Sequence, residues 1–126
     1  LHLVGPLGFR IDEHAVRRAG LDYWHLVEVN QHPDLESAER AIGGRSWLFS
    51  AKATKSYLDV RFELGDALVF GKESVGLPPE LVEGRGEWVL GIPTLGEVRS
   101  HNLANAVAIA LYEALRQNDL LRVSSR

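Results

Sequence analysis

Asp66-Ala67-Leu68-Val69-Phe70-Gly71-Lys72-Glu73-Ser74-Val75-Gly76-Leu77-Pro78 (residues 66–78, DALVFGKESVGLP) changes character at its middle: an apolar run ends on one glycine, and a second glycine follows five residues later. Four apolar residues behind an aspartate read as a buried strand. The glycines let the chain turn sharply and let a ligand approach the main chain without meeting a Cβ. Pro78-Pro79 then favour the opening of a short helix. Strand, glycine loop and helix make one unit of an α/β fold. The plain alternative is a strand-to-helix turn with no ligand, and this segment alone does not separate the two. The phosphate loop of nucleotide hydrolases does not fit, because Asp66 stands five positions before Gly71 where a glycine is needed, and Glu73 follows Lys72 where serine or threonine is needed. No GxGxxG is present, which argues against a dinucleotide site of the Rossmann kind.

Outward from this unit the pattern repeats. Leu1–Val4, Trp24–Val29, Ser46–Ser50, Ala67–Phe70 and Trp88–Ile92 are short, apolar or alternating, and bounded by Gly, Pro or Asp, so each is expected to be a strand, the first of them buried. Helices are expected over Asp12–Ala19, over Asp34–Ile42 with its stop at Gly43-Gly44, after Pro79, and from about Asn102 to about Asn118. Alternating strands and helices with short links predict an α/β fold, a mostly parallel sheet flanked by helices in one domain spanning 1–126. Ligands of such sheets bind beyond the carboxyl ends of the strands. The strand that ends at Gly91-Ile92-Pro93 would leave main-chain groups around Ile92 available, since proline ends a ladder.

The start of the last helix is Glu97-Val98-Arg99-Ser100-His101-Asn102-Leu103-Ala104-Asn105-Ala106-Val107-Ala108. Leu103, Ala106, Val107, Ala110, Leu111, Ala114 and Leu115 recur at three- and four-residue steps, which predicts one buried face. Ser100 or Asn102 can cap the free amides. Capping accounts for neither Arg99 nor Asn105. A helix start with free amides, an arginine, a serine and two asparagines suits a polar or anionic ligand.

Composition narrows the partners. The chain is 45% hydrophobic and 25% charged, ordinary for a globular protein, with a formal charge of −3. Overall charge therefore announces no nucleic acid, which would need a local basic patch. Arg10, Arg17 and Arg18 beside Tyr23 and Trp24 offer one candidate, cations for a phosphate backbone and rings for stacking, although arginines on a helix are commonly a solvated face and tryptophan is commonly core. There is no cysteine, and the five histidines lack ligand spacing, so no metal site is expected. No apolar run approaches the roughly 20 residues of a membrane span, and no signal peptide is legible, so a cytoplasmic protein is expected.

Three segments in this order, Phe49-Ser50-Ala51-Lys52, Phe70 to Pro78, and Ile92-Pro93 followed by Arg99-Ser100-His101-Asn102-Leu103, resemble the SPOUT RNA methyltransferases, a family with a trefoil knot. Pro6-Leu7-Gly8-Phe9 and Arg18-Ala19-Gly20-Leu21-Asp22-Tyr23 are similar to segments of the small bacterial members that methylate the wobble nucleotide of tRNA. The resemblance covers essentially the whole chain. It implies a C-terminal knot, a homodimer, and S-adenosylmethionine held largely by main-chain groups, with S-adenosylhomocysteine as product.

Carried over residue by residue, the resemblance places Phe49, Gly71, Glu73, Gly76, Ile92, Ser100 and Leu103 at the cofactor. It places Arg99, Ser100, Asn102 and Tyr112 near the reaction, and Arg17, Arg18, Tyr23 and Lys52 on the RNA. The implied function is 2′-O-methylation of ribose in tRNA, at the wobble cytidine or uridine, without metal. The alternative is an RNA-binding module of the same fold that does not turn over. The sequence departs from the family in two ways. The first motif, an Asn-x-x-Gly segment ending in Arg, lies upstream of the strand matched by Leu1–Val4, so an N-terminal strand and helix are expected to be missing. His101 stands where the family has Leu or Met.

Overall fold

The computed structural model describes residues 1–5, 28–72, 75–94 and 102–123, which fall into two compact units, 1–43 and 44–126. The helix expected at Asp12–Ala19 lies outside the described residues. In the first unit β1 (His2–Val4) pairs in parallel with β2 (Asn30–His32), in the register His2 to Asn30, Leu3 to Gln31 and Val4 to His32. This ladder comes later than the strand expected at Trp24–Val29, of which residues 24–27 also lie outside the described set. Asn30-Gln31-His32 has no apolar residue by which periodicity could have found it. Nor is β1 the buried strand expected: Leu1 is 56% and Val4 40% exposed, and among the described residues β1 pairs with β2 alone in its sheet.

Helix α1 (Leu35–Ile42) has the termini that its sequence predicts. Asp34, in extended backbone, accepts a hydrogen bond from the Ser37 amide at 2.8 Å, and hydrogen bonds from the Ser37 side chain and this amide hold its carboxyl below the usual range. Gly43 ends the helix at φ 78°, and its amide donates to the Glu39 carbonyl at 2.9 Å. Ala38 is the residue it buries, and the helix packs on both β1 and β2.

The second unit is built on β3 (Ser46–Phe49), which lies between β4 (Ala67–Val69) and β5 (Val89–Leu90), with both pairings parallel. The strands are shorter than the apolar runs suggested. Trp88 belongs instead to a 3-10 turn, Gly86–Trp88, and the main chain of Ser50 and Gly91 is taken up by the loops beyond the sheet. Trp47, Leu48 and Phe49 of β3 are buried, with Phe62, Val89, Leu90 and Ala110. Leu48, Leu90 and Phe62 are at most 1% exposed, worth about 1.5–3 kcal/mol each in transfer from water.

Polar side chains set where the sheet begins. Arg45 grips Asp66 with two hydrogen bonds, Nε to Oδ1 at 3.0 Å and Nη2 to Oδ2 at 2.7 Å. Trp47 Nε1 and the Glu63 amide donate to the same carboxylate, each at 2.9 Å. The Arg45 guanidinium lies 5.3 Å from the ring centre of Trp47 and 5.7 Å from that of Trp88. This clasp joins the residue before β3 to the residue before β4, fixing their relative start.

Helix α2 (Pro79–Arg85) follows the glycine loop, and α3 (Leu103–Gln117) closes the unit. Gln117 and Asn118 fasten the end of α3 to the segment before β4. The Phe62 amide donates to Gln117 Oε1 at 2.8 Å, Gln117 Nε2 donates to the Val60 carbonyl at 3.0 Å, and Asn118 Nδ2 donates to the Phe62 carbonyl at 3.2 Å. Glu113 takes hydrogen bonds from Arg116 and Gln117, which hold its carboxyl down at about 2. On the face of α3 expected to be buried, Ala110 is buried, Leu103, Ala106, Val107, Ala114 and Leu115 are half-buried, and Leu111 is 43% exposed. No helix among the described residues is long and apolar enough to cross a membrane.

Asp66 carries the clearest pH signature. Burial pushes its carboxyl up, but the hydrogen bonds from Arg45, the Glu63 amide and Trp47 outweigh burial and hold it below its ordinary 3.8. A group depressed in the fold stabilises fully above its unfolded value, and the effect is lost as pH falls through the folded value. Asp66→Asn is therefore expected to lower the unfolding free energy by about 2–3 kcal/mol at neutral pH. Urea titrations of the two proteins should converge as the solution is acidified below about pH 4.

Candidate functional site

Because β3, β4 and β5 are parallel, their carboxyl ends lie on one edge of the sheet. Residues 50–52, 70–72, 75–77, 92 and 94, from the segments that leave them, meet the first turn of α3 around a hollow of about 630 Å³. A hollow of that size is in the range of small-molecule sites.

Each wall has a local cause. Phe49 at the end of β3 stacks on Phe70 at the end of β4, ring centres 4.6 Å apart and planes 11° from parallel, and both line the hollow. After β3 the chain turns on Ser50, whose Oγ accepts from the Lys52 amide at 3.2 Å and whose carbonyl accepts from Ala53 at 3.2 Å. This turn is laced to the exit of β5: the Ser50 amide donates to the Leu90 carbonyl at 2.9 Å, the Gly91 amide to Lys55 at 2.8 Å, and the Tyr57 amide to Gly91 at 3.0 Å.

The glycine loop closes on itself. The Gly76 amide donates to the Lys72 carbonyl at 2.7 Å, and Gly76 has φ 71°. A Cβ at Gly71 would overlap the carbonyl carbon of Gly76 and the amide nitrogen of Leu77. Glycine at 71 is thus a steric requirement of this loop, since its missing side chain is what lets the main chain of Gly76 and Leu77 approach so closely.

At the start of α3, Asn102 Oδ1 accepts from the amides of Ala104 at 2.9 Å and Asn105 at 3.4 Å. Leu103 and, one turn on, Ala106 complete the wall.

Phe49, Lys52, Gly71, Gly76, Ile92 and Leu103, singled out in the sequence, therefore line one hollow, with Asn102 adjoining Leu103. Arg17, Arg18, Tyr23, Glu73, Arg99 and Ser100 lie outside the described residues. The structure does not bring Tyr112 to the hollow. It lies nine residues beyond Leu103, about 13 Å further along the helix axis and roughly 180° round it, and is 61% exposed. The assignment of Tyr112 to the reaction stands on the resemblance.

Lys72, Val82, Glu83 and Thr94 also line the hollow, and none was assigned to it from sequence. The signal for α2 was there: Pro79, Val82 and Glu83 lie at helical spacing and present one face. Among the described residues there is no group of three or more side chains able to hold a metal.

The profile of the SpoU rRNA methylase family matches residues 1–112 of this chain. A tRNA (cytidine(34)-2'-O)-methyltransferase of Aeromonas hydrophila subsp. hydrophila is 46% identical over 119 residues, 93% of this chain and 76% of the relative. A solved structure concerned with the 2-OH methylation of C/U34 on tRNA is 46% identical with a TM-score of 0.82, the match covering 94% of this chain and 78% of that one. An AdoMet-bound rRNA methyltransferase from Sinorhizobium meliloti is 26% identical with a TM-score of 0.75, the match covering 96% of this chain and 46% of that one.

Two alanine substitutions separate a required glycine from a dispensable one. Gly71→Ala is expected to lower stability by about 1–3 kcal/mol in urea titration, through displacement of the loop it collides with. Gly84→Ala within α2, where a Cβ meets nothing within 4 Å, should be neutral or stabilising by up to about 1 kcal/mol.

Proposed function

The chain belongs to the SpoU rRNA methylase family, and we propose that it methylates the 2′-hydroxyl of a ribose in tRNA, at the wobble nucleotide of the anticodon, with S-adenosylmethionine as donor. The observation that carries this reading is the main-chain hollow where three parallel strands end. The fit to S-adenosylmethionine is supported by the tight main-chain loop of Gly71 and Gly76 on the wall of the hollow, by stacked Phe49 and Phe70, and by the apolar wall of Ile92 and Leu103. Adenine is recognised by hydrogen bonds to exposed amides and carbonyls together with apolar contact, which such a wall provides.

When bound, S-adenosylmethionine supplies a methyl group activated by its sulfonium. The chain's part is positional: it holds the acceptor oxygen in line and keeps the ribose from rotating away. Phe49, Gly71, Gly76, Ile92 and Leu103 hold the cofactor in this reading, joined by Glu73 and Ser100. Arg99 meets the phosphate flanking the target nucleotide, and Ser100 orders the ribose. Asn102 acts through the fold, since its Oδ1 is committed to the amides of Ala104 and Asn105 and so fixes the first turn of α3. Arg17, Arg18, Tyr23 and Lys52 contact the RNA.

The protein acts as a cytoplasmic homodimer in this reading. Ala104, Ala108, Leu111 and Tyr112 are exposed at helical spacing on α3, an apolar strip that a second copy would cover. Tyr112 lies on this strip, and the resemblance places it near the reaction as well. The C-terminal segment closes the knot that the resemblance implies. Its support is that α3 both walls the hollow with Leu103 and is fastened by Gln117 and Asn118 to residues 60–62.

Methylation of unmodified tRNA transcripts, mapped by nuclease digestion and mass spectrometry, is expected to give one 2′-O-methyl at position 34. A folded protein that shows no heat on titration with S-adenosylmethionine or S-adenosylhomocysteine would overturn the cofactor assignment. Retained RNA binding without methylation would support the non-catalytic module instead. Arg99→Ala should slow methylation with cofactor affinity unchanged. Leu111→Glu should shift the sedimenting species from dimer towards monomer.

A further inference from the structure

The chain carries eleven arginines but three lysines, Lys52, Lys55 and Lys72. All three border two adjoining hollows. Lys52 and Lys72 line the large one, while Lys52 and Lys55 line a second of about 310 Å³, with Thr54 and Glu87. Lys52 and Val82 belong to both walls. The described arginines at 40, 45, 116 and 122 are engaged in ion pairs. None of the lysines has an ion pair among the described residues, and the hydrogen bond found there for a lysine side chain is a long one, Lys55 Nζ to the Glu87 carbonyl at 3.5 Å.

In a protein of formal charge −3, its three lysines are thus gathered where the proposed reaction takes place. Glu87 offsets one of the two lysines of the smaller hollow, so its described lining keeps a net charge of +1. Lysine is a compact charge with three rotatable donors, able to meet a phosphate oxygen from many directions. The main chain beneath Lys55 is fixed: its carbonyl accepts from Gly91 at 2.8 Å, and Gly91 accepts from Tyr57 at 3.0 Å. A mobile cationic tip on an anchored base is a suitable holder for a backbone that slides into place.

We infer that the smaller hollow is a phosphate subsite of the tRNA strand. Lys55 and the Thr54 hydroxyl hold a backbone phosphate neighbouring the nucleotide whose ribose enters the larger hollow, and Lys52 on the shared wall guides the strand across. The inference rests on the function proposed above and deepens it.

The test uses the full-length protein with Lys55→Ala, Lys55→Arg and the double variant K52A/K55A, read by tRNA affinity against salt concentration and by cofactor calorimetry. Removing one lysine that neutralises a phosphate should lower the slope of log affinity against log salt by about 0.7–0.9. Between about 50 and 200 mM salt, Lys55→Ala should therefore lose roughly threefold less affinity than wild type does. Lys55→Arg should restore the wild-type slope, and cofactor affinity should stay unchanged in both Lys55 single variants.

Wild-type salt slopes in both alanine variants would overturn the phosphate subsite while leaving the methyltransferase reading intact. Weakened cofactor binding with unchanged tRNA binding would overturn it too, and would assign the lysines to the cofactor's carboxylate. A wild-type protein that neither binds nor methylates tRNA would overturn the proposed function and this inference together.

Discussion

The parallel alignment of β3 with a partner on each side is the constraint from which the rest of the second unit follows. Parallel neighbours send their carboxyl ends the same way, so three separate turns are delivered to one edge. The strands are only two to four residues long, and their backbone hydrogen bonds alone would hold the register weakly. Apolar burial and the Arg45–Asp66 clasp supply what the ladder lacks. Trp47 takes part in both, because its ring is buried in the core while its Nε1 satisfies the carboxylate. The start of the sheet is thus fixed by polar geometry and its middle by packing, leaving the far edge to be shaped by glycine and loop hydrogen bonds.

The far edge is built from main chain because a close approach needs it. Gly71 has no space for a side chain, and Gly91 has little: a Cβ there would lie 3.1 Å from the Ala53 carbonyl oxygen. The same crowding that excludes side chains brings amides and carbonyls of different loops within reach of each other. A pocket made this way takes its selectivity from shape and from hydrogen bonds along the chain. Among the described residues the charged side chains on its wall are Lys52, Lys72 and Glu83.

Legibility from sequence tracked how local the cause of each element was. Helix α1 could be read almost to the residue, because Asp34 and Gly43 act within a few positions of themselves. The run Ser46–Phe49 could be read as a strand from its apolar residues, but its central place in the sheet depends on partners far along the chain. β2 was missed because its pairing is made by backbone groups of polar residues. Leu111 followed the helical period yet sits on the outer side, since a period says which residues share a face and not how wide a neighbour will cover it. Phe49, Gly71, Ile92 and Leu103 were legible through family resemblance. Glu83 was not, because it reaches the hollow only through the placing of α2. The assignments to Arg17, Arg18, Tyr23, Glu73, Arg99 and Ser100 stand on residue pattern and resemblance, since all six lie outside the described residues.

The crowding of every lysine into one neighbourhood has a practical corollary for chemical labelling. A reagent that acylates primary amines finds no ε-amino group elsewhere on this chain, so beyond the chain terminus any adduct it leaves is a report on the rim of the two hollows. Footprinting with such a reagent, which on most proteins scatters marks over the whole surface, here becomes a local gauge of what is sitting at one place.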